Sequence, residues 1–357
     1  MRRRTFVGVA GVSLLGLAGC TGTRSETEPA ADSRDDETSQ PTTENSVPND
    51  RDGSEADDES TDRTVAVGEL VEGDEVQFVV SDVGRRDAFD GLVLEEDRFG
   101  AGIDDDDEQR QASDGHEFVV VELAVQNTTD ETFVPLGSAF QPVLQDYEEQ
   151  AYEQVRSVSS VALAEGSLAP GEVERGELAY EISTGRSVST LTLDDDAAEP
   201  FGVDGLAVDL EDEADEIATL EQELRVPVHE FGTVVDHDGL EIAVDQLGSG
   251  NNLGPFFEPE DDHEFVVVGI TVTNDSGDDQ EVSIADYGRL KDDAGWSYPE
   301  DPDVLSSLEQ FDEPAQLKDG DSEEGAVAYQ VEQGRGQLYW TLELPEWDDG
   351  KEFWQLR

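Results

Sequence analysis

HEFVVVELAVQN at residues 116–127 and HEFVVVGITVTN at residues 263–274 are one segment written twice, 147 residues apart. In the first, Val119, Val121, Leu123 and Val125 alternate with Val120, Glu122, Ala124 and Gln126. In the second, Val266, Val268, Ile270 and Val272 alternate with Val267, Gly269, Thr271 and Thr273. Alternation over this length predicts a half-buried β-strand. Each segment runs into turn formers, Asn127-Thr128-Thr129-Asp130 and Asn274-Asp275-Ser276-Gly277.

The duplication extends in both directions. Leu168, Gly171, Gly176, Ala179 and Tyr180 recur 149 residues later as Leu317, Gly320, Gly325, Ala328 and Tyr329. Gly185-Arg186 and Thr192-Leu193 recur at that same spacing as Gly334-Arg335 and Thr341-Leu342. Upstream, Gly68 and Gly84 match Gly232 and Gly248, 164 residues on. The first copy therefore carries an extra loop between Gly84 and His116, which includes the acidic run Asp104 to Glu108. Each copy, of about 130 residues, has the size of one domain. The expected fold is all-β, two tandem antiparallel sandwiches, with a first domain over 65–210, a linker over 211–226 and a second domain over 227–357. Leu240, Ile242 and Val244 repeat the alternation, as do Leu338, Trp340, Leu342 and Leu344. Turn signals recur often enough for a sandwich. Helical pattern is confined to Pro302–Gln310 and Asp212–Leu224.

An F-V-V-V-x-[IL]-x-V-x-N strand with a polar turn, followed by a glycine step and an Ala-Tyr strand, resembles the telokin-like, immunoglobulin-type sandwiches. These occur as one- or two-copy domains in exported prokaryotic lipoproteins, in a group catalogued as of unknown function. The resemblance covers residues 65 to 357. It implies an extracytoplasmic β-sandwich without known catalysis and supplies no functional residues.

Cys20 is the single cysteine, directly after Leu17-Ala18-Gly19. The chain opens on Arg2-Arg3-Arg4-Thr5-Phe6-Val7, and the apolar run Phe6 to Leu17 is shorter than the roughly 20 residues a bilayer span takes. This order resembles bacterial and archaeal lipoproteins and reads as a signal peptide over 1–19, with Arg3 and Arg4 as export signal and Cys20 as lipid attachment. Residues 20–64 then form the lipidated tether. From 21 on they lack Phe, Tyr, Trp, Ile and Leu. Such a stretch buries too little to offset chain entropy and is expected to be disordered, with a relaxed span on the order of 35 Å.

Asp and Glu number 89 against 21 Lys and Arg, a formal charge of −68. Loss of Arg2, Arg3 and Arg4 with the leader takes it to about −71. Only Lys291, Lys318 and Lys351 are lysines. Acid-rich, lysine-poor chains resemble those of extreme halophiles, chiefly archaea, where a Debye length of about 3 Å at 1 M salt screens neighbouring carboxylates. Nucleic acid and anionic lipid are poor partners for such a surface, which takes salt cations non-specifically.

No cofactor, catalytic site or metal site is expected. His116 and His263 open the duplicated strand, His237 sits in a hairpin turn, and His229 has no partner at metal-ligand spacing. Asp104–Glu108 is a continuous run rather than an alternating ligand set, and Asp292-Asp293-Ala294-Gly295 reads as an ordinary turn. No Gly-x-Ser-x-Gly or phosphate loop occurs. A glycosidase-like carboxylate pair would be invisible among so many acids. Asn127 and Asn274 head glycosylation sequons in equivalent turns; turn chemistry alone explains them equally well. All four tryptophans, Trp296, Trp340, Trp347 and Trp354, lie in the second copy. Trp340 reads as core, and Trp347 and Trp354 read as a hydrophobic lid in preference to an aromatic platform.

These features predict a non-catalytic lipoprotein on the outer face of the cytoplasmic membrane, held by its lipid anchor and contacting an envelope protein through its sandwiches. One alternative is a module binding a small solute or divalent cation in the cleft between domains. The other is an acid-dependent glycoside hydrolase.

Overall fold

The structure, a computed structural model, describes residues 63–90, 109–136, 142–155, 163–164, 166–193, 205–250, 253, 257–301, 304, 308–309, 311–345, 347 and 350–357. Cys20, Arg3, Arg4, residues 20–62 of the expected tether and the Asp104–Glu108 run lie outside these residues, whereas Arg63 and Thr64, expected to end the tether, open the first strand of the first sandwich.

The first copy runs β1 (Arg63–Val67), β2 (Val71–Glu72), β3 (Val76–Arg86), β4 (Ala88–Asp90), β5 (Gln109–Gln111), β6 (His116–Asn127), β7 (Val134–Leu136), β8 (Val143–Asp146), β9 (Ala151–Tyr152), β10 (Gly166–Leu168), β11 (Val173–Ser183), β12 (Val188–Leu193) and β13 (Leu206–Glu213). The second runs β14 (Val228–Glu230), β15 (Val234–His237), β16 (Leu240–Gly250), β17 (His263–Asn274), β18 (Gln280–Val282), then α1 (Ile284–Tyr287), β19 (Gly288–Asp292), β20 (Ser297–Tyr298), β21 (Ala315–Leu317), β22 (Ser322–Glu332), β23 (Leu338–Leu342) and β24 (Glu352–Gln355).

The two copies share one topology. In the first, β11-β6-β3-β2 faces β1-β13-β12-β8-β9, with β10-β7 as a small side ladder. In the second, β22-β17-β16-β15 faces β14-β24-β23-β19-β20, with β21-β18 as the side ladder. A bulge falls at the same point of β3 and β16, between Val80 and Asp82 and between Val244 and Gln246.

The duplicated ladders face inward as their alternation predicts. Val119, Val121, Leu123 and Val125 pack with Phe78, Tyr180 and Leu191 in one core. Val266, Val268, Ile270 and Val272 pack with Tyr329, Trp340 and Trp354 in another. The two interiors are separate. Each fixes its own strand phase, because slipping one residue would turn a whole ladder toward water.

Three details depart from the sequence expectation. The first strand of each copy pairs parallel to the last, β1 with β13 and β14 with β24, so the sandwiches are not wholly antiparallel. A parallel pair needs a long crossover, and nearly a whole domain of chain supplies it. Second, β6 is buried on both faces rather than one. On its outer side Ala124 packs with Val79, Val173 and Leu220, and Phe118 and Val120 pack with Ala179.

Third, the expected helix over 212–224 is absent. Asp212 and Glu213 finish β13, and residues 214–227 form an extended strap. The strap spends its N–H groups on the first sandwich: Ala214 on Val67, Ala218 on Gly68, Glu223 on Gly171 and Arg225 on Pro170. Leu220 seats on the outer face of β3, β6 and β11, an anchor that a solvated helix would forgo. Of the 302–310 stretch only 304, 308 and 309 are described, and none of these is helical.

Candidate functional site

The most unusual chemistry in the described residues is a charge cluster sealed between the sandwiches. Glu172 and Glu174 sit at the start of β11, after the tight turn Pro170-Gly171. Lys291, from β19 of the other copy, reaches across to both. Its Nζ is 2.7 Å from Glu172 Oε1 and also donates to Glu174 Oε2. Lys351 Nζ lies 2.7 Å from the same Glu172 oxygen. Glu172 Oε2 accepts from the Ala169 N–H at 2.8 Å, and Ser297 Oγ donates to Glu174 at 2.9 Å. Glu172 is 0 % and Lys291 1 % exposed, so this pair is fully withdrawn from water.

Burial by itself would raise the Glu172 carboxyl, but Lys291 and Lys351 outweigh it and hold the group below the usual carboxylate range. Burial by itself would lower Lys291, and the two carboxylates instead hold it above the usual lysine range. Both groups therefore stay charged at neutral pH. Breaking such a pair on one side strands a buried charge, which is where its structural leverage comes from.

Backbone contacts complete the seam. The Arg175 N–H donates to Gly295 O at 2.8 Å, and Arg175 Nε donates to Ala294 O at 3.1 Å. Ser167 N–H donates to Glu343, and Gln222 N–H to Asp293 O. Two glycines permit this approach. A Cβ on Gly295 (φ +93°) would fall 2.6 Å from Val173 Cγ1. A Cβ on Gly171 (φ +78°) would fall 1.8 Å from Glu223 O. The described residues, from 63 on, consequently fall in one compact unit.

The β19–β20 turn at this seam is more than an ordinary turn. Asp292 Oδ1 accepts from the N–H groups of Ala294 and Trp296, while Oδ2 meets Tyr298 OH at 3.1 Å and Arg335 Nη1 at 3.2 Å. Asp146 does the same in the first copy with Glu148, Gln150, Tyr152 and Arg186. Sequence reasoning missed this. Its trace is an Asp followed six residues on by Tyr, written in both copies. Only the second version meets a neighbour: Lys291 precedes Asp292, whereas Gln145 precedes Asp146.

The remaining candidates resolve into structural roles. Asn127 and Asn274 are both 0 % exposed. Asn127 Nδ2 donates to Thr132 O and Leu168 O, and its Oδ1 accepts from Thr129. Asn274 repeats the arrangement with Asp278 O, Leu317 O and Ser276. In each case both amide protons are engaged, so a sugar there would require the turn to open. His116 and His263 face the carbonyls of Asp114 and Asp261 at the entrance of their strands. His229 and His237, distant in sequence, converge on the two oxygens of Glu352 at 2.7 and 2.8 Å. Trp347 stacks on His237 at 3.9 Å, and Trp354 is buried against Trp340, as a lid would be. Among the described residues no group of three His, Cys, Asp or Glu side chains is placed to hold a metal ion.

The family described as a domain of unknown function, DUF4352, matches residues 65–200 and again 229–352. The chain belongs to that family. Each DUF4352 match covers most of one sandwich, the first ending before β13 and the second at the start of β24. No curated protein matches the chain. Several solved structures match about two fifths of the chain. An uncharacterised β-sandwich protein of Clostridium difficile is 10 % identical over 37 % of this chain and 95 % of its own, with a TM-score of 0.27. The yjhA protein of Bacillus subtilis is 20 % identical over 41 % and 99 %, with a TM-score of 0.30. The secreted protein MPT63 of Mycobacterium tuberculosis is 13 % identical over 36 % and 96 %, with a TM-score of 0.28. Among the described residues no helix is long and apolar enough to cross a membrane.

Proposed function

We propose that this DUF4352 chain is a non-catalytic display module of the cell envelope, exported and anchored through lipid on Cys20, that presents its two sandwiches to a protein partner as one body. The observation that carries this reading is the sealed Lys291–Glu172–Glu174 cluster, which joins the copies at a single mutual orientation. Two of only three lysines, Lys291 and Lys351, are committed to it. A buried ion group of this kind adds little net stability compared with apolar packing, but it penalises every other docking of the same surfaces. Fixed orientation matters to a protein whose business is contact. It adds nothing to two domains that act separately.

The solute-binding alternative placed its ligand between the domains. Around Glu172 that ground is closed by the protein's own side chains. The test is photo-crosslinking in intact cells from Leu247 and Tyr287, which are 40 % and 38 % exposed on the second sandwich. Discrete adducts to envelope proteins are expected, identified by mass spectrometry. Absence of any adduct from either position would sink the proposal.

A further inference from the structure

The two copies treat one corner of the sandwich differently. Gly68 and Gly232 occupy the same turn, for each donates its N–H to the matching strand carbonyl, Val80 O and Val244 O, at 2.8 Å. Val67 therefore corresponds to Phe231, and Leu70 to Val234. In the first copy the strap after β13 closes this corner. The Ala214 N–H donates to Val67 O at 2.8 Å and the Ala218 N–H to Gly68 O at 2.9 Å. Ala218 and Leu220 then pack with Leu70, Val79, Ala124 and Val173. Val67 and Gly68 are both buried.

Among the described residues nothing takes the place of the strap in the second copy. No N–H of theirs donates to Phe231 O or Gly232 O. A Cβ on Gly68 would fall 3.2 Å from Ile217 Cγ1, whereas one on Gly232 would meet nothing within 4 Å. Phe231 is 40 % and Val234 59 % exposed. Farther in, Ala124 and Val173 give way to Thr271 and Ser322, as suits a face left open. At the corner itself the second copy keeps apolar side chains and enlarges one of them, Val67 to Phe231. Large apolar residues beside unpaired carbonyls at a sheet edge invite another length of backbone.

We propose that this corner of the second sandwich docks an extended segment of a partner protein. The segment carries a small residue whose N–H donates to Gly232 O, a leucine two positions on that lies against Val234, and Lys or Arg on either side. The strap supplies the pattern, because residues two apart in an extended chain share a face, as Ala218 and Leu220 do. The basic flanks follow from charge complementarity. Glu230, Asp236 and Glu241 stand exposed around the apolar pair, with Asp236 directly opposite Glu241. The chain's own strap docks in the first copy although it carries Asp215, Glu216, Glu221 and Glu223, because covalent attachment holds it at high effective concentration. A free segment has no such help and gains its encounter rate and register from opposite charge. The corner gives the display reading a place of contact, but it rests on the comparison of the copies and not on that reading.

The test uses the full chain and a fluorescent synthetic peptide, the 214–223 sequence with each Asp and Glu replaced by lysine, at fixed ionic strength. Anisotropy should show saturable one-to-one binding. The same peptide with serine in place of its leucine keeps the charge and should bind at least tenfold more weakly. Phe231→Ser with Val234→Ser should weaken binding of the leucine peptide at least tenfold; both side chains are exposed, so circular dichroism should report an unchanged fold. Tyr147→Ser, which removes an exposed aromatic ring from the first sandwich, should leave binding unchanged. No saturable binding, equal binding of the two peptides, or binding untouched by the double variant would overturn the proposal. So would a concentration-dependent dimer in sedimentation that the double variant dissolves, since a second copy would then fill the corner.

Discussion

Lys291 Nζ of the second sandwich lies 2.7 Å from Glu172 Oε1 of the first, across 119 residues of sequence, and both side chains are closed to water. Lys291→Met leaves Glu174 buried without its cation and Glu172 with Lys351 alone. A loss of about 3–5 kcal/mol is expected in urea unfolding, the usual cost of breaking a buried pair from one side. Adding Glu172→Gln and Glu174→Gln to that variant should recover much of it. A single variant as stable as the parent would contradict the buried pairing.

Gly295→Ala should loosen the same seam by another route. Its Cβ would press on Val173 at a φ that favours glycine. Both cores lie elsewhere, so the near-ultraviolet signal of Trp340 and Trp354 should persist while the 214–227 strap becomes open to limited proteolysis. Unchanged proteolysis would mean that the turn adapts without parting the sandwiches.

Asn127→Asp keeps the shape of the side chain and removes its two donated hydrogen bonds. The Leu168 carbonyl is then left short of a partner, at about 1–3 kcal/mol for a buried unsatisfied group. Asn274→Asp should cost a similar amount through Leu317. Thermal melting checks both, and intact-mass measurement of protein from the native cell should show both asparagines unmodified.

Two carboxyls give opposite slopes of stability with pH. Burial, reinforced by Glu313 and relieved by Arg289, pushes Glu300 up to about 7. Between the ordinary glutamate value of about 4.3 and about 7 the folded chain holds the extra proton, so stability falls as pH rises through that window. Glu300→Gln should flatten this slope. Glu172 is depressed, so its contribution is complete above about 4.3 and is lost as pH falls through its lower folded value. Melting temperatures from pH 3 to 8 separate the two.

Cys20→Ser tests the anchor. The expected outcome is release of the chain from the membrane fraction, read by fractionation and immunoblot. Retention at the parental level would count against lipid attachment.

Much of the fold was legible because alternation is a local property. The ladder at Val119–Val125 and its twin at Val266–Val272 announce strands and their inner faces without reference to anything distant. The strap was not legible. Asp212–Leu224 carries a helical spacing, and only the apolar outer face of β6 turns Leu220 into an anchor. The Asp146 and Asp292 turns were hidden differently, since one acid among 89 carries no signal until its Tyr and Arg partners are seen around it.

The amino-acid order alone established two all-β copies, their duplicated strands and the inward side of each ladder, because those follow from side-chain periodicity within a dozen residues. Tertiary structure decided that Lys291 meets Glu172 and that His229 and His237 share Glu352. Those partners lie more than a hundred residues apart, and only the packed chain brings them close enough for charge and hydrogen bonding to act.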